Sequence, residues 1–259
     1  MHTLLAQLQA GAAIDRPIAV VGAHPDDETL GIGSRLAAIR HLRLIQLTDG
    51  APRDLIDAKR HGFADWQGYA AARAAEIACA LATLGAAGAA RQCYALPDKA
   101  ALDGLPEIVE RLVADLSGMA AVITHPFEHG HPDHDTAALA VSLACQRLGE
   151  AAPLRLEFAS YHLGDEGRVF GRFRPESGPP EVEIVLTPAE LARKQQAIAC
   201  FKTQAAILQQ FSLTSERLRL APDYDFLQPQ GPVLYEQLVS MISPAEWRAK
   251  AAAVQKRLG

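Results

Sequence analysis

Two short runs of histidine and carboxylate side chains carry the strongest chemical signal in the sequence. The first motif, HPDDET, spans residues 24–29, and the second motif, HPDHDT, spans residues 131–136. They are identical at four of six positions. Imidazole nitrogens and carboxylate oxygens are zinc ligands, and three of them around a position left open form a catalytic zinc site. The two motifs together therefore indicate a metal site.

The spacing within each motif supports convergence on one ion. His24 and Asp27 are three residues apart, as are His131 and His134, so each pair can share one side of a first helical turn. The motifs offer more donors than zinc needs, and the surplus can move protons or orient ligands. Spacing alone does not decide which histidine of the second motif binds the metal. A single motif of this kind would more simply be a helix cap, but the repetition favours a metal site.

Each motif lies where a predicted strand gives way to a predicted helix. An apolar run, 18–23 or 120–124, precedes each motif, and apolar residues at helical spacing follow it. Pro25 and Pro132 suit a first helical position, where a missing N–H costs nothing. In open α/β sheets, ligand sites form at these carboxyl ends of the strands.

Strands and helices alternate from residue 17 to about residue 150, which predicts an α/β core with a mostly parallel sheet flanked by helices. Gly31 and Gly33 fall inside a predicted helix, so they do not indicate a nucleotide-binding turn. The predicted strands are 18–23, 43–48, 91–96 and 120–125, and the predicted helices are 28–40, 68–84, 104–116 and 132–148.

Residues 151–259 predict a small C-terminal β/α addition, partly antiparallel, that covers one side of the site. Short strands are expected at 154–161, 169–173 and 182–186, between glycine and proline turns. A helix is expected from Thr187 to about Leu208, because Thr187 and Glu190 have capping-box spacing. The tail 244–258 also predicts a helix. We therefore expect one domain over residues 1–259.

Composition and charge exclude several classes of protein. The net charge is −5 and no Lys/Arg cluster is present, so nucleic acid is not an expected partner. No apolar run approaches the roughly 20 residues that span a bilayer, and the first residues lack the basic start of a signal peptide. The four cysteines, at positions 79, 93, 145 and 200, are scattered. They predict separate core thiols in a reducing compartment, and hence a cytoplasmic protein.

The sequence AHPDDE at 23–28, followed by HPDH at 131–134, resembles the PIG-L/LmbE-type zinc-dependent deacetylases, which remove acetyl groups from N-acetylglucosamine-containing substrates. The resemblance implies a Rossmann-like, LmbE-like fold and one zinc, or another divalent transition metal, per chain. It implies a small N-acetylated sugar or a glycoconjugate as substrate. Weaker similarities in the same order are LTDG at 47–50, RAAE at 73–76, LG at 84–85 and LPD at 96–98.

The resemblance also divides the roles among the motif residues. By matching positions, His24, Asp27 and His134 are the expected metal ligands. Water that binds zinc beside them would have its pKa lowered toward about 7. Asp26, next to a ligand, is the expected general base, which takes the water proton and passes it to the departing amine.

The remaining assignments concern the second motif and the substrate. His131 is expected to stabilise the oxyanion or donate a proton, with Asp133 orienting it. By resemblance, Arg73 and Asp98 are candidates for sugar hydroxyls, although Arg73 could also form an ordinary ion pair on its helix. His129 stands where the family has glycine or an aromatic residue. It is expected to contact substrate, with exposure to solvent as the alternative.

Several alternatives remain open at the level of sequence. The long connection 49–68 could be a substrate rim or a plain insertion. His125 and His129 could hold a second metal. The protein could be a zinc amidase that cleaves a larger amide of a sugar conjugate, or a zinc-organised carbohydrate-binding module without turnover, and it could form a homo-oligomer. Asp26 favours an enzyme, and the Gly-x-Ser-x-Gly turn of serine hydrolases is absent.

Overall fold

The computed structural model describes residues 3–175, 178–238 and 241–258, which are built around a seven-stranded sheet. Its strand order is β3-β2-β1-β4-β5-β9-β8, and β6 and β7 form a separate hairpin. The strands are β1 Ile18–Gly22, β2 Leu42–Thr48, β3 Ala90–Leu96, β4 Ala121–Thr124, β5 Leu154–Phe158, β6 Tyr161–Gly164, β7 Gly167–Phe170, β8 Val182–Val185 and β9 Ser215–Leu220.

Strands β1 to β5 are parallel, and β1, at the centre, pairs with both β2 and β4. Every residue of β1 and β4 is buried, as expected for apolar strands covered by helices on both faces. This arrangement confirms the predicted α/β fold. Strand β9 runs antiparallel between β5 and β8, so the C-terminal addition continues the same sheet with the predicted antiparallel pairing.

Helices cover both faces of the sheet because alternate strand residues point to opposite sides. Ile18 and Val20 pack with helices α1, α4 and α7, while Ala19 and Val21 pack with α5, α6 and α9. No described helix is both long enough and apolar enough to cross a membrane. The helices are α1 Thr3–Ala10, α2 Asp27–Ile32, α3 Ile56–Arg60, α4 Trp66–Thr83, α5 Leu105–Leu116, α6 Pro132–Leu148, α7 Pro188–Ile198, α8 Ala205–Leu208 and α9 Pro244–Leu258.

Three predicted elements are divided in the structure. The predicted helix 28–40 becomes α2 followed by the 3₁₀ segment Gly33–Ala38. The predicted strand 154–161 becomes β5 and β6. The predicted helix 187–208 begins at the expected capping box but ends at Ile198, and α8 follows after a 3₁₀ turn.

Strand β9 was not predicted, because charged residues interrupt its apolar pattern. Its charged side chains are nevertheless buried, because they form ion pairs. Lys194 Nζ lies 2.6 Å from Glu216 Oε1, and Arg219 Nε lies 2.9 Å from Glu157 Oε2. These partners come from distant parts of the chain, so hydrophobic periodicity does not reveal the strand.

The cysteines differ from the prediction of four separate thiols. Cys79, on α4, and Cys200, just after α7, form a disulfide across 121 residues of sequence. Cys145 is a buried free thiol and Cys93 an exposed one. The pairing follows from the packing of α4 against α7, which sequence spacing does not show. The disulfide removes the basis for the predicted reducing compartment.

Candidate metal and catalytic site

The two motifs meet at the carboxyl ends of the neighbouring strands β1 and β4. The rings of His24 and His131 lie edge to face, with centroids 4.6 Å apart. The rings of His24 and His134 have centroids 5.2 Å apart. The strand pairing therefore brings together residues that are more than 100 positions apart in the chain.

The three expected metal ligands are buried, and Asp27 lies close to both histidines. Asp27 lies between two histidines: its Oδ1 is 3.4 Å from His134 Nε2, and its Oδ2 is 3.6 Å from His24 Nδ1. Atoms held at zinc–ligand distances in a tetrahedral site are roughly 3.3 Å apart. Each Asp27–histidine pair is therefore near the spacing of two zinc ligands, through a different carboxylate oxygen.

Other nearby donors widen the choice of ligands. Within the described residues, three groups have ligand atoms within 4.8 Å of one another, and none contains His24, Asp27 and His134 together; the expected set is instead divided between two groups that share His134. His125 Nε2, 3.0 Å from Asp27 Oδ2, accepts the backbone N–H of Ala23. The groups are His24 with His131 and His134; His24 with Asp98, His131 and Asp133; and Asp27 with His125 and His134.

Ser160 fixes the orientation of His134. Its hydroxyl lies 3.3 Å from His134 Nδ1, which leaves Nε2 facing Asp27. A partner on the outer ring nitrogen is the usual arrangement for a histidine that binds a metal. Ser160 was not identified from the sequence, because it lies beyond β5 and outside both motifs.

Asp26 faces Arg73 at the edge of the site. The guanidinium Nη2 lies 3.3 Å from Asp26 Oδ2. Burial raises the pKa of Asp26 to about 6, although the charge of Arg73 opposes this shift. A carboxylate that ionises near this pH can act as a general base.

Arg73 is not the surface ion-pair partner of Glu76 that its helix spacing allowed. It is 2% exposed, and its Nε and Nη1 atoms are buried and make no hydrogen bond to any residue that the structure describes. Glu76 instead accepts hydrogen bonds from the backbone N–H and hydroxyl of Thr203. Gly50 permits the close approach of Arg73, because a Cβ there would lie 2.7 Å from Arg73 Nε. The guanidinium therefore has unused donors at the site.

His131 is the N-cap of α6. Its Nδ1 accepts the backbone N–H of Asp133 at 3.1 Å, so in the neutral ring the proton is on Nε2. Burial, together with the charge of His24, lowers the pKa of His131 to about 4. His131 is thus a neutral hydrogen-bond donor, and its Nε2 lies 3.9 Å from Asp98 Oδ1.

Asp133 orients His24 rather than the predicted partner His131. Its carboxylate accepts the backbone N–H groups of Lys99 at 2.7 Å and Ala101 at 3.0 Å. Oδ2 also lies 3.3 Å from His24 Nε2. The reason is geometric: the Asp133 carboxylate faces the 99–101 turn, whereas its backbone N–H faces His131. Asp98 Oδ1 also lies near His24 Nε2, at 3.1 Å.

His129 lies away from the position predicted for it. Its backbone φ is +62°, and its ring Nδ1 lies 2.8 Å from Asp135 Oδ2. Its Nε2 accepts the backbone N–H of Gln230. His129 is 3% exposed and does not line the cavity described below. His129 is thus neither exposed to solvent nor part of the cavity, which contradicts both alternatives for its role, and it belongs to none of the candidate groups of metal ligands among the described residues.

A cavity of about 240 Å³ opens above the motifs. Its floor is polar and includes Asp26, Arg73 and Asp98, whereas the predicted rim 49–68 contributes only Asp57. One wall is largely apolar and was not identified from the sequence, because distant segments supply it. That wall is formed by Leu30, Phe158, Tyr161, Gln204, Ile207, Leu208, Phe211, Leu238 and Met241.

Residues 19–145 match the family model described as PIG-L, GlcNAc-PI de-N-acetylase. The matched segment contains both motifs and all three candidate metal ligands. Residues 19–145 therefore match the PIG-L family, as the sequence motifs predicted, and the family is described by an N-deacetylase activity. No functionally curated protein matches the chain significantly in sequence.

Solved structures with the same fold include deacetylases and a hydratase. A deacetylase of the teicoplanin biosynthetic pathway is 15% identical, with a TM-score of 0.59 over 80% of this chain and 100% of the other. N,N′-diacetylchitobiose deacetylase from Pyrococcus horikoshii is 13% identical, with a TM-score of 0.51 over 84% and 87%. A 4-carboxy-2-hydroxymuconate hydratase from Pseudomonas putida is 18% identical, with a TM-score of 0.51 over 81% and 99%. At these identities the likeness shows the fold.

Proposed function

We propose that the protein is a zinc-dependent hydrolase that removes the acetyl group from an N-acetylated sugar or glycoconjugate. The observation that carries this proposal is the placement of Asp27 between His24 and His134 at ligand spacing, with Asp26 beside it in the same cavity. A zinc-organised binding module needs the three ligands but not the adjacent base, so Asp26 favours turnover.

His24, Asp27 and His134 would hold one zinc per chain. When bound there, zinc supplies a Lewis acid that polarises a carbonyl and acidifies water. Asp26 takes the proton of the attacking water and returns it to the amine nitrogen as the C–N bond breaks. The neutral His131 presents its Nε2–H to the same region, where it stabilises charge on the carbonyl oxygen or donates to the departing amine.

Arg73 and Asp98 are proposed to bind sugar hydroxyls. Arg73 has two buried nitrogens, Nε and Nη1, that bond to no residue in the described part of the chain. Asp98 Oδ1 is also buried in the cavity and faces the imidazoles of His24 and His131. A hydroxyl can donate to the carboxylate and accept from the guanidinium at once. Buried polar groups without partners carry a desolvation penalty, which a bound polar ligand removes.

The apolar wall supports a second candidate, an amidase for a larger amide of a sugar conjugate. Ile207, Leu208 and Phe211 would contact a group that extends from the sugar or from the acyl carbon. The site chemistry is the same in both cases. Acetyl and longer N-acyl substrates therefore belong in the same assay.

The test combines metal analysis with amine release from N-acetylated and longer N-acylated sugars, before and after chelation. We expect about one zinc per chain and amine release that the chelator abolishes and added zinc restores. One zinc without amine release from any substrate would favour the binding module. A protein that binds no divalent metal would contradict the proposal.

A further inference from the structure

Tyr161, the first residue of the β6–β7 hairpin, lines the cavity above the two motifs. Its ring lies edge to face with that of His134, with centroids 5.2 Å apart. The preceding residue, Ser160, contacts the outer nitrogen of the same histidine. The start of the hairpin therefore places a phenol directly beside a proposed zinc ligand.

Tyr161 is held from two sides. A Cβ on Gly130 would lie 2.0 Å from the carbonyl oxygen of Tyr161, so only glycine allows this approach just before the second motif. On the other side, the Tyr161 ring packs against Phe170 and Phe211, with centroids 5.9 and 6.1 Å away. The ring is therefore fixed before any ligand binds, which lowers the entropy lost on binding.

The hydroxyl of Tyr161 has no structural role that the described contacts reveal. Within residues 3–175, 178–238 and 241–258 it makes no hydrogen bond. The hydroxyls of Tyr69, Tyr94 and Tyr224, by contrast, each bond to a side chain. Tyr161 is partly buried and lines the cavity, so its hydroxyl is available to a ligand that binds there.

We propose that Tyr161 is a catalytic residue whose O–H donates a hydrogen bond to the carbonyl oxygen of the amide that is cleaved. This inference rests on the proposed function. The oxygen of water bonds to the carbonyl carbon, the C–N bond breaks, and the nitrogen takes the proton that Asp26 removed from water. The carbonyl oxygen gains negative charge and then loses it, while Tyr161 keeps its proton. His131 is then free to form a hydrogen bond with the departing amine.

Tyr161→Phe tests the hydroxyl alone, because the ring contacts with His134, Phe170 and Phe211 remain. The first probe is acetohydroxamate, whose two oxygens bind zinc and mimic the reacting carbonyl. We expect the zinc-loaded variant to bind acetohydroxamate about tenfold more weakly in calorimetry, with unchanged zinc content and melting temperature. Tyr94→Phe is the matched control, since Tyr94 bonds to Asp115 away from the cavity. It should bind the probe as the wild type does.

The second measurement is steady-state amide hydrolysis. We expect kcat of Tyr161→Phe to fall about 10²-fold with KM within twofold, because the bond strengthens only as charge develops. Unchanged kinetics and hydroxamate affinity would overturn the proposal, and so would a raised KM with normal kcat. A wild type that binds the hydroxamate yet hydrolyses no amide would refute the proposed function, while the hydroxamate comparison would still decide whether the Tyr161 hydroxyl contacts a ligand of the site.

Discussion

The first and second motifs share four of six residues, yet the helices that follow them begin at different positions of the motif. Helix α2 has six residues, and its N-cap, Asp26, makes no side-chain capping bond; its carboxylate faces Arg73 instead. Helix α6 has 17 residues, and the ring of its N-cap, His131, accepts the N–H of Asp133. The first motif thus leaves an acid available for proton transfer, and the second fixes the tautomer and direction of an imidazole.

The largest expected effect comes from removing the one second-motif residue that contacts Asp27. His134→Ala removes a donor from the proposed zinc site, so we expect loss of bound zinc and no measurable turnover. Metal analysis after dialysis and an amine-release assay measure the two effects. Full retention of zinc would show that His125 or His131 is the true ligand, and the assignment of His134 as a metal ligand would be wrong.

Asp26→Asn addresses the acid that the first motif leaves available. The amide cannot accept a proton from water, so we expect kcat to fall about 10³-fold while zinc remains bound. Zinc content and kcat are measured for both variants: Asp26→Asn should lose only turnover, whereas His134→Ala should lose zinc as well. If both variants lost zinc equally, the separation of base from ligand would be wrong.

His131→Asn separates capping from chemistry in the second motif. Asparagine is a good N-cap, so α6 should keep its stability, while the loss of the imidazole donor should lower kcat about 10²-fold. Thermal melting and kinetics report the two roles. A large fall in melting temperature with normal kcat would mean that His131 is only a cap.

Asp133→Asn has the smallest predicted effect. An amide cannot accept both backbone N–H groups and His24 as the carboxylate does, so we expect zinc affinity to fall about tenfold. Asp135→Asn is the matched control on the same helix: it disturbs His129 and should lower stability without changing zinc affinity. Equal zinc affinity in wild type and Asp133→Asn would contradict the role of Asp133 in orienting His24.

Local signals were enough to predict the parallel half of the sheet and the meeting of the two motifs. Each motif follows an apolar strand, and neighbouring parallel strands end at one edge of the sheet, so residues around His24 and His131 had to converge. The mistake at His129 has a local cause that periodicity cannot show. Its backbone adopts a positive φ, and Asp135 binds its ring, so proximity in sequence did not place it in the cavity.

The apolar wall of the cavity is formed by segments that are distant in the sequence. Tyr161 enters from a hairpin, and Phe211 enters from the stretch after α8. The disulfide links α4, which carries Arg73, to Cys200, shortly before the cavity residue Gln204. Neither hydrophobic periodicity nor turn residues indicate such contacts between distant segments. The sequence therefore predicted the polar residues of the cavity floor but not the apolar wall.

The position of β9 in the sheet leaves strand edges exposed while the chain is being synthesised. Strand β9 lies between β5 and β8, and both of these precede it in sequence. The edge of β5 therefore stays open until Leu220 has been made, and β8 has no other partner in the described part of the sheet. Open strand edges pair with other chains. A nascent or truncated chain that stops before Ser215 would carry both complete motifs and still expose an edge prone to aggregation.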